Sequence, residues 1–311
     1  MANNIKITSS AGHKLGQLIG DWFEEFFVLP LLKEVSDSLH LFLDCRFIDR
    51  PIRGDKIVWT DTDGNSVDYD FVLELNGSIS HIGVPVAFIE SFWRRGSRHS
   101  KDKARDDSGK LLPMRSTYPT ARFLGIIAAG DFTEPARELV RSRDIDLFYV
   151  PKNKIVEAFA QNGLKIDYPD KATESEKRKI ASTFYSAFSL EKKKSVSDTL
   201  MDLIGVATVK SYTDRVRAKL SALPQEIRLV LRQESQPIIF RSVEEVSLFL
   251  QSPSFTMDTP QESYLYQITY SDGSEFEKSV LSIHDLSALH RQIRLLSEHM
   301  NNLQRNTTCV D

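Results

Sequence analysis

Apolar positions along the chain alternate between helix-like and strand-like spacing. Leu15, Leu18, Ile19, Trp22, Phe23, Phe26 and Phe27 recur every three or four residues, which predicts a long helix over residues 14–44 that Pro30 kinks or restarts. Short apolar runs follow. Lys56–Thr60 predicts one strand, Asp68–Leu75 a second and Gly83–Trp93 a third. Asp61–Asn65 and Asn76-Gly77 have turn composition. The third run is apolar almost throughout up to Glu90, the pattern of a strand buried on both faces. A helical or basic segment comes next. The stretch Thr120–Ala129 then predicts a buried strand centred on Phe123–Ala129. A helix opens with Thr133 as N-cap and Pro135 in its first turn, and Ile145–Val150 predicts a fifth strand. Three strands closed by strand–helix–strand imply a mixed sheet flanked by helices.

Beyond Pro151 the texture changes. Helices are expected over Lys154–Gln161, Ser175–Leu190 and Val196–Leu223, the last interrupted near Gly205. Ile227–Arg232 and Pro237–Arg241 predict a strand pair. Ser242–Gln251 predicts a short helix capped by Ser242 with Glu245 three residues on. Tyr264–Tyr270 and Glu275–Val280 predict a hairpin, and Ile283–Asn302 a final amphipathic helix. The polar stretch Asp167–Glu174 places a boundary between a domain of residues 1–165 and one of residues 166–311. The expected class is therefore α/β (α+β): a mixed central sheet flanked by helices, followed by a mixed C-terminal α+β domain.

Composition narrows the function classes. The 311 residues are 41 % hydrophobic and 27 % charged, which excludes disordered and collagen-like chains. No apolar run approaches the roughly 20 residues of a membrane helix. The opening Met1–Lys6 lacks the basic-then-apolar layout of a secretion signal. Two distant cysteines, Cys45 and Cys309, form neither a zinc knuckle nor a disulfide framework. A cytoplasmic protein with reduced thiols is expected. Net charge is −3, so any polyanion partner must meet a local cluster of cations. Phosphate-loop, G-x-S-x-G and His-Glu-x-x-His patterns are missing. The run Asp61–Asn65 has calcium-loop residue types, but its glycine falls at the fourth place and Val72 at the twelfth, so it is no EF-hand.

The chemistry centres on two acids. Asp70 begins one strand and Glu90 ends the next; a hairpin through Asn76–Gly83 would bring them to the same end of adjacent strands. Glu90 follows the apolar or small residues Val84–Ile89, where a bare carboxylate is costly, and a hard divalent cation is one compensator. Residues 94–105 then hold six Lys or Arg against one Asp. Cations beside an acidic pair suit phosphodiester hydrolysis: the cations hold the polyanion and the acids hold a metal that activates water. The bland readings are a solvated strand face for Asp68, Asp70 and Glu74, an exposed loop for the basic run, surface positions for His81 and His99, and a solvent face for Glu24 and Glu25.

Asp70, a hairpin and an apolar strand ending in Glu90 resemble the PD-(D/E)XK nuclease superfamily, which includes most type II restriction endonucleases. The resemblance covers residues 14–150. Gly130–Ala136, ahead of a helix, is similar to a G-F-T-x-x-A segment of Mrr-like members. It implies a restriction-endonuclease-like core in which Asp70 and Glu90 bind Mg²⁺ together with a carbonyl near Ser91. The family's lysine two residues after the Glu is Phe92 here, and Tyr69 stands where many members have proline. Some members supply the cation from the following helix, which implicates Lys103 or Lys101. Arg94, Arg95, Arg98, Lys101, Lys103 and Arg105 would contact DNA phosphates.

The resemblance implies a Mg²⁺-dependent endonuclease of double-stranded DNA in a restriction system, working as a homodimer beside a companion DNA methyltransferase. The C-terminal part would supply sequence recognition or dimer contacts. The alternatives are a weak or dead nuclease-fold DNA-binding subunit, favoured by Phe92, and a repair or phage-defence nuclease without a fixed site.

Overall fold

A computed structural model describes residues 10–231, 236–252, 255 and 263–308. Met1–Lys6, Arg232 and Cys309 lie outside the described residues. The chain divides into two compact units: Met1–Glu34, Ile89–Lys110 and Gly125–Thr213 form the first, and Val35–Phe88, Leu111–Leu124 and Asp214–Asp311 the second. A mixed five-stranded sheet has the order β1-β4-β5-β6-β7, with β1 (Phe42–Cys45) antiparallel to β4 (Phe71–Leu75) and β6 (Phe123–Gly130) parallel to β7 (Asp146–Pro151). Its middle strand, β5, is Val84–Arg94, and helices flank the sheet.

The first unit opens with α1 (Ala11–Trp22), a π-helical turn over Phe23–Val28, and α2 from Leu29 to Ser38, whose last residues pass into the second unit. Leu15, Ile19 and Trp22 form the buried stripe of α1. The π turn has a covalent cause. Pro30 has no N–H to donate to the carbonyl of Phe26, and Ser197 Oγ donates to that oxygen instead, at 2.6 Å. The helix expected over residues 14–44 stops at Ser38, and Phe42–Cys45 is a strand. Apolar spacing alone could not separate the two, since Leu39, Leu41 and Leu43 suit either.

The same unit contains most of α3 (Ser100–Thr117), then α4 (Glu134–Arg141), α5 (Lys152–Gln161), α6 (Glu174–Ala187), α7 (Leu190–Ile204) and the first half of α8 (Val206–Ser221). Thr133 occupies the N-cap of α4, with its carbonyl accepting from the Ala136 and Arg137 N–H groups. Gly205, at φ 96°, separates α7 from α8. Gly130 (φ 98°) ends β6, and a Cβ there would run into the Arg94 carbonyl.

In the second unit, β2 (Ile57–Thr60) and β3 (Ser66–Tyr69) form an antiparallel hairpin. Asp61 Oδ1 accepts from the Asp63 and Asn65 N–H groups and closes its turn. The strand expected over Asp68–Leu75 is broken at Asp70: its first half belongs to this hairpin and its second half to the five-stranded sheet. A separate antiparallel sheet has the order β11-β10-β8-β9 from β8 (Pro224–Leu231), β9 (Ile238–Phe240), β10 (Tyr264–Tyr270) and β11 (Glu275–Val280). One face of it packs with α9 (Val243–Leu250) and α10 (Ile283–Thr308) around Ile227, Leu229, Tyr266, Val246, Leu286 and Ile293. Ser242 caps α9 through Glu245 N, while the Glu245 carboxylate accepts from Arg241 N, one residue ahead of a reciprocal box. Among the described residues no helix is long and apolar enough to cross a membrane.

Candidate catalytic cluster on β5 and α3

Glu90 sits seven residues into β5 and is 2 % exposed. Val86, Phe88 and Ile89 before it and Phe92 after it commit this strand to the interior, so the carboxylate is carried inside with them. A buried carboxylate needs compensating charge or hydrogen bonds. Lys110, on α3, provides both: its Nζ lies 3.0 Å from Glu90 Oε2. The lysine side chain is about one-third exposed, so it bridges a buried acid and the surface.

The helix is built for this. Ser100, Ala104, Asp107, Ser108, Leu111 and Met114 are its buried stripe, and three of these are polar. Lys103, Asp107 and Lys110 follow spacings of four and three along one side. Lys103 Nζ donates to Asp107 Oδ1 at 2.7 Å and stands 5.2 Å from the ring of Phe92. Lys103 is thus bound to Asp107 and Lys110 to Glu90. Phe92, two residues after Glu90, is buried against Phe132 with ring centroids 5.2 Å apart. A charged side chain at that position would face an aromatic contact.

The other sequence candidates are spread more widely. Ser91 follows Glu90 on β5 and is buried. Asp70, half-buried at the break between β3 and β4, belongs to the second unit. Arg95 is committed to internal contacts: it donates to the Tyr168 carbonyl at 2.8 Å and to Asp170 Oδ1 at 2.8 Å, and lies 4.0 Å over the Tyr168 ring. Arg94 donates to the Arg98 carbonyl. Arg98, Lys101 and Arg105 are exposed, Arg105 within 3.5 Å of Asp102. Of the acids read as a solvated face, Asp68 is part-exposed and ion-paired with Lys56, but Glu74 is fully buried.

Glu74 belongs to a charged cluster that sequence reasoning missed. Asp44 on β1 and Glu74 on β4 share a face of the antiparallel pair, two residues apart in register. Arg50 reaches both: Nη1 is 2.7 Å from Asp44 Oδ2 and 2.6 Å from Glu74 Oε1, and Nη2 is 2.8 Å from Glu74 Oε2. Carbonyls of Ser78 and His81 take its remaining N–H groups. Burial alone would lower the Arg50 pKa, but the hydrogen bonds and charges of Glu74 and Asp44 outweigh it and hold the guanidinium above its ordinary value. Arg53 donates to Asp44 and to the Cys45 and Ile48 carbonyls. Burial pushes the Cys45 thiol up to about 11, so it stays protonated and inert.

Only spacing on α3 could have pointed to Lys110, as the third member of the Lys103–Asp107–Lys110 series. Among the described residues no group of three or more His, Cys, Asp or Glu is placed to hold a metal ion. Mg²⁺ needs less: one or two carboxylates, with water and phosphate oxygens completing its shell. Glu90 is a hard-oxygen donor of that kind, with Lys110 as a charge partner. No protein-family model, no curated protein and no solved structure matches this chain.

Proposed function

We propose that the protein is a Mg²⁺-dependent endonuclease of double-stranded DNA, of the restriction type, on a restriction-endonuclease-like core. The observation that carries this reading is the buried Glu90 carboxylate with Lys110 Nζ 3.0 Å away, delivered by the helix that follows the strand. Glu90 is one metal ligand. Asp70 enters as the second on the sequence motif, and the main-chain carbonyl near Ser91 as a third. Bound there, Mg²⁺ supplies an acidified water and charge stabilisation of the leaving oxygen. Lys110 sets its ammonium group beside Glu90 and takes the place that the family gives to the residue occupied here by Phe92. Arg98, Lys101 and Arg105 hold phosphates at the start of α3. The module of β8–β11, α9 and α10 is assigned sequence recognition or dimer contacts, and cutting both strands of a palindrome calls for a two-fold dimer.

The test is plasmid cleavage with and without Mg²⁺, comparing wild type with Asp70→Asn, Glu90→Gln and Lys110→Met. Metal-dependent cleavage that needs both acids is expected. Discrete bands identify a restriction enzyme, and a smear a nuclease without a fixed site. One observation favours a second reading: Phe92 is packed against Phe132. A non-cleaving DNA-binding subunit would bind duplex without metal and leave the plasmid intact, and that result overturns the nuclease proposal.

A further inference from the structure

The second unit contains a cavity of about 650 Å³ that the proposed chemistry does not use. It lies over the Asp44–Arg50–Glu74 cluster and is walled by Ile57, Trp59, Ile82 and Tyr118. Trp59 and Tyr118 meet edge to face, with centroids 5.4 Å apart and planes at 89°. Trp59 also packs edge-on against Phe88 at 5.8 Å. The Tyr118 hydroxyl donates to the Thr60 carbonyl at 2.9 Å, which fixes its ring. The corner is therefore rigid before anything enters it, and a ligand pays little to order it. At the rim stand Val58, 50 % exposed, and Ile82, 48 % exposed, two large aliphatic side chains left in water.

The floor is polar yet neutral. Arg50 gives its donors to Asp44, Glu74 and two carbonyls, and Arg53 is bound to Asp44 and three carbonyls. Two acids and two arginines cancel, so no bare charge on the floor calls for an ionic ligand. A rigid aromatic corner, an aliphatic rim and a charge-balanced floor suit a neutral, flat ring.

We infer that this cavity accepts a nucleobase, stacked on Trp59. The inference deepens the DNA-acting reading and rests on it for the source of the base. A base can reach such a pocket either as a free nucleoside or turned out of the duplex. Stacking on an aromatic side chain recognises the flat face common to all bases. Asp55 and Lys56 at the lip add the polar contacts that can separate one base edge from another.

The experiment is fluorescence titration with 2-aminopurine deoxyriboside and, separately, with a duplex containing 2-aminopurine, using the full chain. Saturable quenching of the free probe, or a saturable change with the duplex, is expected for wild type. A response to the free nucleoside identifies a small-molecule site, and a response to the duplex alone shows that DNA delivers the base. Trp59→Ala should weaken the response about tenfold or more, and Trp59→Phe should keep it within about threefold. Circular dichroism melts of both variants check folding. No saturable response to either probe, or equal strength in Trp59→Ala, overturns the inference. Mg²⁺-dependent plasmid cleavage on the same preparations keeps the two proposals apart: cleavage without a probe response removes only the pocket, and a probe response without cleavage removes only the nuclease.

Discussion

Lys110 Nζ lies 3.0 Å from the buried Glu90 carboxylate, across 20 residues that run from within β5 into the middle of α3. Two explanations of this pair make different forecasts. If Lys110 only neutralises a buried acid, its loss costs stability. If the pair is part of a phosphodiesterase, its loss costs turnover as well. Glu90→Gln and Lys110→Met are each expected to lower plasmid cleavage about 100-fold or more while the protein remains folded. Lys103→Met, which removes a cation from Asp107, should cost far less. Initial cleavage rates beside thermal melts of the same samples decide; equal losses for Lys103→Met and Lys110→Met would count against the assignment.

Phosphate contacts leave an ionic-strength signature. Neutralising Arg98, Lys101 and Arg105 together should weaken duplex binding almost uniformly across sequences and reduce the slope of log affinity against log salt by about 2–3. Anisotropy titrations between low and moderate salt measure that slope. Arg95 should not behave this way, because its guanidinium is held by Tyr168 and Asp170. An Arg95→Gln variant is expected to lose stability and leave the salt slope unchanged.

The Arg50–Glu74–Asp44 cluster is a stability element. Glu74→Gln leaves a buried guanidinium short of one charge, and Arg50→Met leaves two buried carboxylates facing each other. Breaking one side of such a pair costs about 3–5 kcal/mol, with Arg50→Met the more severe. Urea unfolding followed by circular dichroism measures the loss, and a cost under about 1 kcal/mol for both variants would show that the cluster is dispensable.

His290 gives the fold an acid limit. Its Nδ1 and the Tyr266 hydroxyl are 2.8 Å apart, as are its Nε2 and Ser247 Oγ. Ser247 also donates to the Val243 carbonyl, so a neutral imidazole with its proton on Nε2 satisfies all three groups. Burial, reinforced by the nearby Arg294 charge, lowers the His290 pKa to about 4. The unfolded chain binds this proton near pH 6.5, so between there and pH 4 the unfolded state binds more protons. The resulting contribution, up to about 3 kcal/mol, is complete above pH 6.5 and is lost as pH falls toward 4. Stability measured from pH 7 to pH 4 should fall in that window, and His290→Gln should flatten that part of the profile.

Much of the architecture was legible from spacing. Alternation marked the hairpin of β10 and β11, Gly205 marked the break between α7 and α8, and Thr133 with Pro135 marked the start of α4. Each depends on neighbours a few residues apart, where periodicity and backbone preference act. The errors arose where a distant partner decided. Leu41 and Leu43 suit a helix until Phe71–Glu74 pair with Phe42–Cys45. Asp70 looks like the third residue of one strand until two different sheets take its two sides.

By itself the amino-acid order determined that a mixed sheet would form, and that Glu90 would be drawn into the interior by the apolar strand carrying it. Only the tertiary structure decided that Lys110 would meet that acid, because six basic residues crowd positions 94–105 and Lys110 lies beyond them. It also decided that Glu74 would be buried and not solvated, since that depended on Arg50, 24 residues away. A side chain's face follows from the local repeat of its own element; its charge partner follows from where the chain returns, and no local repeat encodes that.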